Sequence, residues 1–79
     1  MLAELNTTNK IVGIKQLRKA LVDGRAKKVF LADDADPKRT APILEQCREK
    51  GVETEHVPTM QELGQACGIE VGAAVAALL

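Results

Sequence analysis

Serine, tryptophan and tyrosine are all missing from this 79-residue chain, and Phe30 is its only aromatic residue. Without serine no Ser-His-Asp triad can be assembled. With a single aromatic residue the chain cannot build the platforms on which single-stranded nucleic-acid modules stack successive bases. Histidine is scarce too, because His56 stands alone, too few for a zinc site of the usual Cys/His density. Cys47 and Cys67 form no Cys-x-x-Cys pair. Two cysteines without a secretory segment imply free thiols and a cytoplasmic location. A Cys–His dyad has no local support, so both thiols read as small buried hydrophobes on helix faces. The longest apolar run, Ala73 to Leu79, is far below the roughly 20 residues that cross a bilayer, so no membrane partner is expected. Met1 to Asn9 lacks the basic start and apolar centre of a leader. No Gly-x-Gly-x-x-Gly occurs, which removes a dinucleotide fingerprint. The expectation is a protein without cofactor, metal or catalytic residue.

The residues that are present alternate between two periodicities. Asn9 to Gly13 reads as a short strand entering a turn, and from Ile14 the residues Leu17, Ala20 and Leu21 form one helical face that Asp23-Gly24 ends. Val29-Phe30-Leu31-Ala32 is an unbroken apolar run, short enough for a strand buried on both faces. Asp36 is placed to cap the next helix with Pro37 in its first turn, although Thr40 followed by Pro42 is a competing start. Ile43, Leu44 and Cys47 carry that helix to Lys50-Gly51. Val52 to Val57 is strand-like and includes His56. Thr59 and Glu62 fit a capping box ahead of the stripe Leu63, Ala66, Cys67. Gly68 terminates that helix, Ile69 to Gly72 forms a loop, and Ala73 to Leu79 is a final buried strand. One domain, residues 1–79, is expected, an α/β fold with helices on both faces. Its architecture is a three-layer α/β/α sandwich around a mixed, largely parallel four-stranded sheet.

Eleven Lys+Arg balance eleven Asp+Glu, yet the balance conceals a gradient. Between Lys10 and Lys28 seven bases face Asp23 alone, a local charge of +6, while Val29 to Leu79 carries four bases and nine acids. A basic segment of this kind is either a solvated helix face or the footprint of a nucleic-acid contact. Helix geometry narrows the choice: at about 100° per residue, Lys15, Gln16 and Lys19 share one exposed arc opposite Leu17 and Leu21. Lys15 and Lys19, four apart, repel each other unless an anion lies between them. Gln16 carries an amide that both donates and accepts, and Gly13 lets another backbone approach the free N–H groups of the helix start. This combination suits a structured RNA.

At these residues the sequence resembles the kink-turn-binding ribosomal proteins. That family includes the archaeal large-subunit "seven-Ae" protein and the "thirty-e" protein, and its small bacterial YbxF-like branch is the nearest. Gly13-Ile14-Lys15-Gln16-Leu17-Arg18-Lys19 resembles its first signature. Leu63-Gly64-Gln65-Ala66-Cys67-Gly68-Ile69-Glu70-Val71-Gly72 resembles its second, with Asp33-Asp34-Ala35-Asp36-Pro37 between them in the family order. The resemblance implies recognition of a kink-turn, a sharply bent RNA built on sheared G·A pairs with a flipped-out nucleotide. By position it implies that Gly13, Ile14, Lys15, Gln16 and Lys19 meet the G·A pairs and phosphates. Ile69, Glu70 and Val71 would then face the extruded base, with Asp36 nearby. It also implies a monomer that associates with the large ribosomal subunit. Two positions depart from the family pattern: Lys15-Gln16 replaces a common Asn-Glu, and Met60 replaces a lysine near the flipped base. Both departures imply a weaker or more salt-dependent interaction.

Two other readings compete. Asp34-Ala35-Asp36 after an apolar strand resembles a magnesium site, but helix capping is a sufficient role for Asp36. A protein–protein interaction module of the same fold, using the loop Ile69 to Gly72, is the serious alternative. Gly64, Gly68 and Gly72 recur every four residues, in a segment too short and polar for a membrane-helix contact.

Overall fold

A computed structural model describes residues 9–79, so the leader expectation for Met1 to Asn9 falls, apart from Asn9, outside the described residues. The order is β1 (Lys10–Val12), α1 (Ile14–Val22), β2 (Lys28–Ala32), α2 (Pro37–Lys50), β3 (Glu53–Val57), α3 (Met60–Ala66) and β4 (Val75–Leu78). The run Val29 to Ala32 in β2 explains the layering, because side chains of a strand alternate between its two faces. Val29 and Leu31 pack with Leu17, Leu21, Ile43 and Cys47 of α1 and α2. Phe30 and Ala32 turn the other way and pack with Leu63 and Cys67 at α3. In β4, Val75 and Ala77 join the first cluster and Ala76 the second. Two helices on one face and one on the other make the expected α/β/α sandwich. Phe30 is fully buried, and burying a side chain of that size stabilises the fold by about 1.5–3 kcal/mol.

The sheet is four-stranded and mixed, in the order β1-β4-β2-β3, but not largely parallel. Only β2 and β3 pair in parallel, whereas β4 is antiparallel to both β1 and β2. The first three strands do run in one direction, as alternation with helices predicts, and β4 is the reversed one. Its direction follows from the path after α3. Residues 68–72 double back along that helix, so that the Ala73 N–H donates to the Met60 carbonyl at 3.0 Å. A Cβ on Gly64 would lie 2.1 Å from the Val71 carbonyl oxygen, and one on Gly72 would lie 3.0 Å from Met60 Cβ. Those two glycines are what lets the loop lie flat on the helix. The chain is thus delivered to the carboxyl end of β2, where the Ala32 N–H donates to the Ala74 carbonyl at 2.9 Å. From there a strand can enter the sheet only in the reverse direction.

The helix starts follow local chemistry. Asp36, not Thr40, caps α2: its carboxylate accepts from the Lys38 N–H at 3.0 Å with Pro37 at the first position, and Pro42 is carried inside the helix. Thr59 caps α3 by accepting from the Glu62 N–H at 3.1 Å. No helix among the described residues is long and apolar enough to cross a membrane.

Candidate functional site

Antiparallel pairing of β1 with β4 is what joins distant segments. Val12 lies opposite Ala76, so the turn that leaves β1 sits beside the loop that enters β4, and the Gly13 N–H reaches the Val75 carbonyl at 3.4 Å. α2 leaves the carboxyl end of β2, beside β4 on its other side. The starts of α1 and α2 and the loop before β4 therefore gather at one end of the sheet, outside the carboxyl ends of the parallel-running strands. Open α/β sheets commonly place ligands at that end.

An open cleft of about 620 Å³ lies there. One wall is Gly13, Ile14, Lys15 and Gln16, and the other includes Ile69 and Val71. Its floor is formed by small backbone-rich positions from Gly72 to Val75, with Val12 beside them, and Arg39 of α2 closes one side. The lining is mostly apolar, and Lys15 and Arg39 are its two charged side chains among the described residues. Val71 is 71% exposed, a cost in water that a bound apolar surface removes.

Gly13 is required where it stands. Its φ of 120° is one that residues with a side chain rarely adopt. A Cβ there would also lie 2.7 Å from Gln16 Oε1, so the Gln16 side chain folds back over the glycine. Gly13 offers α1 no side-chain cap, and the first turn holds no acid. Among the described residues no side chain accepts from the N–H groups of the first turn, and the first intrahelical bond is Leu17 N–H to Gly13 carbonyl at 3.1 Å. α2 also lacks an acid in its first turn, where Lys38 and Arg39 stand instead. A positive helix end lined by cations is unfavourable on its own and favourable around an anion.

Of the residues expected from sequence, Gly13, Ile14, Lys15, Gln16, Ile69 and Val71 line the cleft. Lys19 is exposed one turn beyond Lys15, and Glu70 is exposed on the loop, both outside the lining. Asp36 is also outside it, occupied as the cap of α2. Arg39 was not anticipated, although two bases in a first turn where acids are favoured were a readable signal. The basic segment is also narrower than its composition. Lys28 bonds Glu55 at 3.0 Å and Glu53 at 3.3 Å across the parallel pair, and Arg25 lies 3.5 Å from Asp23. Among the described residues no acid pairs with Lys15, Arg18 or Lys19, so the unneutralised charge concentrates on α1.

The acidic loop after β2 has structural occupations. Asp33 Oδ1 lies 2.9 Å from His56 Nδ1, and Asp34 Oδ1 accepts from the Met60 N–H at 2.7 Å, adding a second acceptor at the start of α3. With Asp36 capping α2, each carboxylate of the magnesium-like motif serves the fold. No group of three or more His, Cys, Asp or Glu side chains among the described residues is arranged to hold a metal ion. Cys47 and Cys67 are buried free thiols. Burial pushes both above the usual thiol range, with Lys10 partly offsetting the shift at Cys67.

The family model described as ribosomal protein L7Ae/L30e/S12e/Gadd45 matches residues 2–79. The chain is 42% identical over 76 residues to an RNA-binding protein of Caldanaerobacter subterraneus subsp. tengcongensis, covering 96% of this chain and 93% of that protein. It is 39% identical over 69 residues to the RNA-binding protein YbxF of Geobacillus stearothermophilus, covering 87% of this chain and 84% of that one. Among solved structures, a 15.5 kD RNA binding protein of Giardia lamblia superimposes with a TM-score of 0.88 at 28% identity, covering 98% of this chain and 67% of that chain. The resemblance drawn from the two signatures, including its small bacterial branch, is borne out.

Proposed function

This chain belongs to the ribosomal protein L7Ae/L30e/S12e/Gadd45 family, and from that premise we propose that it is a non-enzymatic RNA-binding protein that recognises and stabilises kink-turn RNA. One observation carries the reading: the two signature segments, far apart in sequence, form the facing walls of one cleft at an uncapped, cation-lined helix start. The Gln16 amide meets base edges at the sheared G·A pairs, where it can both donate and accept. Gly13 permits close approach, and Lys15 and Lys19 neutralise phosphates converging at the bend. Ile69 and Val71 cover an extruded base with apolar surface, which accounts for an RNA binder without aromatic platforms. Glu70, exposed on the same loop, is the acceptor at its edge, and Asp36 is nearby, capping the helix that carries Arg39. Stabilisation of the bend follows from preferential binding to the bent form. A monomeric, cytoplasmic protein that joins the large ribosomal subunit completes the reading, consistent with the ribosomal relatives in its family.

Titration calorimetry with a kink-turn RNA and a control lacking the G·A pairs tests this proposal. Tight binding to the first and at least tenfold weaker binding to the second is expected; equal affinity overturns it. Exposure of Val71 favours one second reading, a protein partner docking on Ile69 to Gly72. In that case capture of the partner survives nuclease treatment and is lost in Val71→Asp.

A further inference from the structure

Arg39 has no role in either signature, yet among the described residues it is the one charged side chain besides Lys15 that lines the cleft. It comes from a different helix and closes the cleft from the α2 side, so the apolar centre has a cation on two walls. It is exposed, and among the described residues no acid pairs with it. Its position works against its own helix. A first turn favours acids, and α2 has none there, carrying Lys38 and Arg39 instead. The opposite choice is made at α3, where Glu62 occupies the first turn and no α3 residue lines this cleft. A guanidinium at a helix start and in the lining of a mostly apolar cleft matches a phosphate whose base enters that cleft, because its planar fork bonds two phosphate oxygens at once.

Building on the reading of this cleft as an RNA site, we propose that Arg39 contacts the RNA backbone at the extruded nucleotide and so forms a third recognition element. α1 reads the base pairs, the loop 69–72 covers the base, and Arg39 holds the phosphate that fixes the base in its extruded position. The contact is to a phosphate and carries no sequence preference of its own.

The test measures binding of kink-turn RNA across a salt series for the wild-type protein, Arg39→Gln, Arg39→Lys and Lys38→Gln. Circular dichroism melts confirm that each variant is folded. Arg39→Gln is expected to weaken binding about tenfold and to reduce the salt slope by about one, with the preference for G·A pairs retained. Arg39→Lys keeps the slope, since a point charge still neutralises the phosphate. Lys38→Gln, which removes the same charge outside the cleft lining, has a much smaller effect. A series of RNAs with single methylphosphonate linkages then locates the contact. One linkage near the extruded nucleotide should weaken wild-type binding and leave Arg39→Gln unaffected. If the wild type prefers kink-turn RNA but Arg39→Gln matches it in affinity and slope, the Arg39 contact is wrong while the site stands. Equal effects of Arg39→Gln and Lys38→Gln reduce Arg39 to diffuse charge and overturn the local contact. Loss of base preference at unchanged slope moves Arg39 to a base edge and overturns the phosphate assignment. If the wild type does not distinguish the two RNAs, the reading of the cleft fails and this inference falls with it.

Discussion

The starts of α1 and α3 face the same problem and answer it in opposite ways. Each leaves several backbone N–H groups without intrahelical acceptors. At α3 the protein supplies the acceptors: Thr59 takes the Glu62 N–H, Asp34 takes the Met60 N–H, and Glu62 adds a negative charge to the first turn. At α1 the described residues supply none of these; Gly13 has no side chain, the first turn has no acid, and Lys15 adds positive charge there. A fold that supplies side-chain acceptors at one helix start and none at its counterpart departs from local stability rules, as folds do at functional sites. The comparison also separates two kinds of glycine. Gly64 lets the loop lie on α3, and Gly13 leaves the start of α1 open, where the proposed function places RNA.

The largest way to break the contrast is Gly64→Ala. Its new Cβ would collide with the Val71 backbone at 2.1 Å, and backbone cannot step aside as a side-chain tip can. A loss of about 3 kcal/mol or more in urea unfolding is expected, with RNA affinity lost as the apolar wall moves. Thr59→Ala comes next, costing about 1 kcal/mol through the lost cap and leaving RNA affinity unchanged well below the melting temperature. A fall in affinity as large as that in stability would mean that the two helix starts are not functionally separate.

Lys15→Glu sharpens the comparison by giving α1 the first-turn acid that α3 already has. Stability should rise by about 0.3–1 kcal/mol at low salt while RNA binding collapses. Opposite movement of melting temperature and affinity is the signature, and parallel movement would remove the open helix start as the explanation. The smallest effect belongs to the two cores on either side of the sheet, each with one buried thiol. Because burial raises both thiol pKa values, the unfolded chain ionises first. Their contribution is fully present below a pH of about 8.5 and is lost as pH rises above it towards the folded pKa. Urea midpoints at neutral and alkaline pH should therefore diverge less in Cys47→Ala/Cys67→Ala than in the wild type.

Local features were readable from the chain because their causes are local. The apolar run at Val29 to Ala32, the stripe Leu17-Ala20-Leu21 and the caps at Asp36 and Thr59 depend on residues within a turn or two of each other. The first wall of the cleft was readable for the same reason, since Gly13, Lys15 and Gln16 lie together on one helix start. The loop 69–72 was placed in the site by family resemblance, not by its own composition. Arg39 was missed because its significance depends on which elements face it. The charge of the basic segment was overestimated because Lys28 is partnered by Glu53 and Glu55 on a strand more than twenty residues later.

By itself the sequence determined the elements, the cap at Thr59 and the face each element buries, because periodicity and side-chain chemistry act over a few residues; the choice of Asp36 over Thr40 came from the structure. Strand direction and the union of the two signatures were decided only by the tertiary structure. A loop lying against Gly64 carries the chain back to the carboxyl end of β2, and that position forces β4 to run in reverse between β1 and β2. The same reversal brings Ile69 and Val71 beside Gly13 and Gln16. No local rule contains that information, since it depends on where a backbone segment comes to rest on a helix that precedes it.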